Sequence, residues 1–193
     1  MVSTKLLGGV IAAVIVIVVV ALAFTSLHKS SNPQYLITSS ANSTAAYSAG
    51  PYLTSGQAEG FIGPVQTSGI KALNTSAAIA NFSKSLVANA SAVWVAIYAD
   101  ARNASISEEV VEAINSSKAQ AMYSLMTASA QQHPNYNFGT YDNMAYVEVP
   151  YNQTTHTAGF MGWKGRYDVL AFISNVSAVN VTNLVHVAAG DLK

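Results

Sequence analysis

Residues 6–24, LLGGVIAAVIVIVVVALAF, are nineteen consecutive positions without a charged side chain. As an α-helix rising 1.5 Å per residue, such a run reaches roughly 29 Å, close to the hydrocarbon thickness of a bilayer. No other feature limits the architecture so sharply, because whatever folds after it must do so on one side of a membrane-length apolar segment. The length favours an uncleaved signal anchor, since a cleaved signal peptide has a shorter apolar core of about 7–15 residues.

Two alternatives stay open at this end. Ala21-Leu22-Ala23 supplies an Ala-x-Ala cleavage pattern, although at the far end of the run. Lys5 followed by Gly8-Gly9 and an apolar helix resembles the processing region of archaeal type IV pilins, which implies a filament subunit. Lys5 and the amino terminus stand against His28-Lys29 on the other flank, so charge sets the orientation only weakly.

The side of the membrane is indicated by asparagines. Asn42, Asn74, Asn81, Asn89, Asn103, Asn115, Asn152, Asn175 and Asn180 each precede a Ser or Thr by two positions, and all nine follow the apolar run. Ser and Thr fill 35 of 193 positions, so random placement of fourteen asparagines would give about 2.5 such sequons. The excess implies an extracytoplasmic, N-glycosylated domain. Were 70–88 helical, Asn74, Asn81 and Asn89 would fall within an arc of about 80°, apart from the stripe Ile79, Phe82 and Leu86.

Nine basic and nine acidic residues are few against a typical charged fraction of about 25 %. No basic tract is present, which argues against nucleic-acid binding, because phosphate contacts rely on Lys and Arg. So few carboxylates also limit acid-driven self-repulsion, which suits an acidic habitat. Without cysteine the chain has no disulfide, no thiolate metal site and no lipid-bearing cysteine. That leans towards a microbial, archaeal surface protein.

Three segments follow: 1–28 as the transmembrane anchor, 29–51 as a Ser/Thr/Asn-rich stalk, and 52–193 as the folded domain. Thr54 and Gln57 fit a capping box, opening a short helix that stops at Gly63-Pro64. A second helix is expected over 70–88 and a buried strand over 91–100, SAVWVAIYAD. Ser105 or Ser107 then caps a long helix that ends at His133-Pro134, with Glu108 and Glu109 in its first turn near the positive helix end. NYNFGTYDN is expected to be an aromatic loop. MAYVEVPY, TAGFMGW and RYDVLAFIS read as strands, the last two joined by a hairpin at Trp163-Lys164-Gly165-Arg166. Val181, Leu184, Val185, Ala188 and Leu192 recur at helical spacing. The order predicts an α+β domain, an antiparallel sheet with helices on one face.

YLTSGQAEGFIGPV, VWVAIYAD, GFMGWKGRYDVLAFISN and NLVHVAAGDL, within residues 52–192, carry a further likeness. Their spacing resembles small membrane-anchored extracytoplasmic domains of archaeal surface proteins and bacterial lipoproteins. The resemblance implies no activity.

Chemistry-bearing patterns are sparse. Ser68 and Lys71 match Ser-x-x-Lys without the partner motifs that accompany it in serine acylases. His133, His156 and His186, with Asp142 or Glu148, lack close ligand spacing for a metal. No cofactor motif is present. Tyr136, Phe138, Tyr141 and Trp163, with Tyr151 and Phe160, cluster in sequence and form the expected partner or ligand face. The expected role is therefore non-catalytic, structural or interacting with a protein partner in an envelope or membrane assembly, with a ligand-binding or sensor domain as the alternative.

Overall fold

The computed structural model describes residues 50–73, 90–128, 130–176 and 179–192. The apolar run, the stalk up to residue 49 and the acceptors Asn42, Asn74, Asn81 and Asn89 lie outside them. The chain enters helix α1, Ser55–Ile62, through the expected capping box: Gln57 N donates to Thr54 Oγ1 at 3.3 Å and Thr54 N to Gln57 Oε1 at 2.6 Å. Gly63, at φ +84°, ends it, in a left-handed region that other residues rarely adopt.

Seven antiparallel strands follow: β1 Thr67–Leu73, β2 Ala90–Ala99, β3 Ser105–Ala113, β4 Asn137–Tyr141, β5 Met144–Asn152, β6 Thr157–Lys164 and β7 Tyr167–Ser174. Helix α2, Ser116–Thr127, and a short 3-10 turn, Ala130–Gln132, separate β3 from β4, and α3, Val181–Asp191, closes the described chain. The sheet order β1-β2-β3-β7-β6-β5-β4 joins two meanders side by side, with β3 against β7 at the seam. Gly165 at φ +60° makes the expected hairpin between β6 and β7.

A mixed α+β domain with an antiparallel sheet is thus present, but its helices cover both faces. Tyr98, Ile106, Val110, Phe160, Val169 and Ile173 line one face, under Ala58 and Ile62 of α1 and Leu184, Val185, Ala188 and Ala189 of α3. Val93, Val111, Val147, Met161 and Leu170 line the other, under Met122 and Met126 of α2 and Ala130 after it. Central strands such as VLAFI of β7 are apolar at successive positions, so neither face can be left to water. The chain leaves β3 inside the sheet and resumes at the far margin, and α2 makes that crossing on the face that α1 and α3 leave open.

The long helix expected from Ser105 is replaced by β3 and the shorter α2. Ile106, Glu108 and Val110 alternate with Ser107, Glu109 and Val111, and the β-branched members pack on both faces. The cap of α2 is Asn115, whose side chain accepts from Lys118 N at 2.9 Å. Within the span expected for that helix, Met122 is buried, whereas Ile114 and Leu125 are exposed. Residues 70–73 of the expected second helix belong to β1, and the rest of it lies outside the described residues. NYNFGTYDN contains strand β4 rather than a loop alone.

Candidate functional site

Five acceptor asparagines fall in the described residues, and all five are exposed. Asn115 and Asn180 are helix N-caps whose side-chain oxygens accept from Lys118 N and from Asn183 N at 3.2 Å. Asn152 Oδ1 accepts from Thr154 N at 2.8 Å, shaping the turn after β5. In these three the side-chain oxygen is used within the chain, and the residue as a whole stays exposed. Asn103 lies in the β2–β3 turn at φ +66°, where Asp100 Oδ1 accepts from Arg102 N and Ala104 N, each at 2.8 Å. Asn175, at φ +60°, donates from Nδ2 to Asn103 O at 2.9 Å, and its N donates to His156 O at 2.9 Å. Asn103, Asn152 and Asn175 therefore gather at one end of the sheet, and Asn115 stands at the other.

The aromatic set does not converge on one surface. Tyr136 is half-buried against Val147, Met161 and Leu170 and stacks on His133 at 4.9 Å. Phe138 is exposed on the α2 side of β4, where Trp163 also lies, its ring 6.2 Å from that of Tyr123. Tyr141 lies on the opposite face, stacked on His186 of α3 at 3.7 Å. Phe160 is wholly buried in the core, and Tyr151 shares a hydrogen bond with His156 Nδ1 at 2.8 Å.

The unexpected group is three carboxylates held by the central strands. Glu108, expected at the start of a helix, is buried on the α1/α3 face, where Oε2 accepts from Leu53 N at 2.7 Å. Burial pushes its carboxyl up to about 8; the Leu53 N–H opposes that shift and the charge of Asp191 adds to it. Beside it the Tyr98 hydroxyl donates to Leu53 O, and burial raises this phenol too, with Glu108 adding to the shift. Glu109, also expected in a helical turn, is on the α2 face, where burial pushes it up to about 7. Asp168 shares that face and is fully buried, pushed up to about 8. Neither of its oxygens has a hydrogen-bond partner among the described residues. Tyr123 of α2 lies near enough to be pushed up to about 12 by burial and by the Asp168 charge.

Chemically, this arrangement keeps protons on carboxyl groups at neutral pH, on both faces of one seam. Local pattern assigned Glu108 and Glu109 to a solvated helix start. The available signal was Asp168 itself, a carboxylate inside the otherwise apolar run YDVLAFI.

Ser68 and Lys71 both fall within β1. Among the described residues no group of three His, Cys, Asp or Glu side chains could hold a metal ion, and no helix is long and apolar enough to cross a membrane. Compared with known proteins, the chain matches no family model, no curated sequence and no solved structure.

Proposed function

We propose that this chain is a single-pass, N-glycosylated extracytoplasmic domain with a structural or interacting role in a cell-envelope or membrane assembly. The observation that carries this reading is the position of the acceptors. The five sequon asparagines among the described residues are all exposed, four at turns or helix caps and Asn152 at the last position of β5, and none lies in the core. With the uncharged run at residues 6–24, this is the pattern of an anchored domain whose surface carries sugars.

The intact mass of the protein isolated from its native membrane tests the reading. The expected mass includes residues 1–24 and exceeds that of the polypeptide by hexose-containing increments. A chain beginning after Ala23 would be secreted, and one beginning at Val10 would be a filament subunit. Absence of added sugar would remove the argument for an extracytoplasmic location.

A further inference from the structure

Strand β4 closes one margin of the sheet, with β5 as its neighbour. Asp142 and Asn143, at φ 45° and 61°, form the two-residue turn between them. In such a hairpin the closing pair, Tyr141 with Met144, exchanges both backbone hydrogen bonds, and bonding alternates along the strand. Tyr141, Gly139 and Asn137 therefore use their backbone groups towards β5, while Phe138 and Thr140 direct theirs outward. No described residue takes those outward groups.

Natural sheets usually protect a free margin with a charge, a proline or a bulge. Asn137–Tyr141 has no charged residue and no proline, and its register with β5 is unbroken. Four large hydrophobic residues are exposed among the described residues, and two of them belong to this five-residue strand: Phe138 at 51 % and Tyr141 at 42 %. No sequon falls in β4 or its turn, so glycosylation would leave this margin bare.

We infer that β4 is the docking edge for a second copy of this chain, antiparallel about a two-fold axis at Gly139, with one sheet running through both copies. The outward groups are symmetric about that residue, so Phe138 meets the partner subunit's Thr140 and Thr140 meets the partner subunit's Phe138. Four backbone hydrogen bonds result from one self-complementary contact. An uncharged strand sets no like charges opposite each other, and a formal net charge of zero leaves little long-range repulsion between copies. Gly139 also has a separate reason to lack a side chain, because a Cβ there would run into the Tyr146 ring and hydroxyl and displace them. The inference rests on the proposed anchored state only in that a membrane would concentrate the copies.

Because the chain has no cysteine, the register can be read by cross-linking the full-length protein. Directly opposed residues in a hydrogen-bonded antiparallel pair lie about 5.5 Å apart at Cα, within disulfide range. The double variant Phe138→Cys/Thr140→Cys should give a covalent dimer on mild oxidation, and Thr140→Cys alone at least tenfold less. In sedimentation equilibrium with density-matched detergent, the unaltered chain should have twice the polypeptide mass. Phe138→Lys leaves the β4–β5 bonding intact and should weaken that dimer at least a hundredfold. A monomer at all concentrations, a dimer indifferent to Phe138→Lys, or equal cross-linking by the single variant would each overturn the inference. An unglycosylated, unanchored chain that still cross-linked in this register would defeat the proposed function and leave the dimer standing.

Discussion

The two faces of the sheet bury acidic groups in different ways. On the α1/α3 face Glu108 accepts a backbone N–H from Leu53, and α3 places Val181, Leu184, Val185, Ala188 and Ala189 into the core. On the α2 face Asp168 has no partner among the described residues, and α2 contributes only Ala119, Met122 and Thr127 as buried residues. A buried carboxyl with a donor helps to fix its surroundings, whereas one without a donor can stay only as a neutral acid. The first face should hold the fold together, and the second should yield first.

The largest effect should come from truncation on the tighter face. Leu184→Ala is expected to cost about 2–5 kcal/mol, and Met122→Ala under α2 to fall at or below the low end of that range. Chemical denaturation of both variants checks this, and an equal or reversed pair of values would break the asymmetry.

The pH dependence comes next, and its sign is the reverse of ordinary acid denaturation. Glu108, Glu109 and Asp168 all take values in the fold above the ordinary carboxylate range, so the folded state holds protons that the unfolded chain has released. The stabilisation is complete below about pH 4 and is lost as pH rises towards 7–8. The thermal midpoint should therefore fall between pH 4 and pH 8. Asp168→Asn should reduce that slope and raise stability at pH 8 by on the order of 2 kcal/mol, while changing it little at pH 4. A midpoint that rose steadily from pH 4 to pH 8 would contradict the raised values of these carboxyls.

Asn115→Ala should cost about 1 kcal/mol through loss of the α2 cap. Its added hydrogen exchange should be confined to residues 116–127, sharpening the view of α2 as the looser layer. The smallest effect belongs to Leu125→Ser. That side chain is 64 % exposed on the outer side of α2, and the change should stay within about 0.5 kcal/mol by denaturant titration.

Much of the fold could be read from the sequence where signals are local. The Thr54/Gln57 box, the runs that became β2 and β5–β7, and the Gly165 turn all carry their reason within a few residues. β3 could not be read in this way. Ser105-Ile106-Ser107-Glu108 has the spacing of a capping box, and Glu108 is instead a strand residue through distant partners, paired with Ala96 and Ala171 and bonded to Leu53, 55 positions earlier. β4 was hidden by its glycine, its one asparagine and the asparagines that flank it. The Asp142-Asn143 pair that turns it was nevertheless visible, because these residues tolerate left-handed backbone. The aromatic residues were near neighbours in sequence, but Phe138 and Tyr141 are an odd number of positions apart on one strand, which sends them to opposite faces.

Leu53 ties the backbone just before α1 to the sheet. Its carbonyl is held by Tyr98 of β2 and its N–H by Glu108 of β3. Tension arriving along the backbone from residue 50 would be divided between two interior strands before it reached any margin. Such a domain would resist being drawn open like a zipper from β1, and the force it withstands would depend on whether a single glutamate holds its proton.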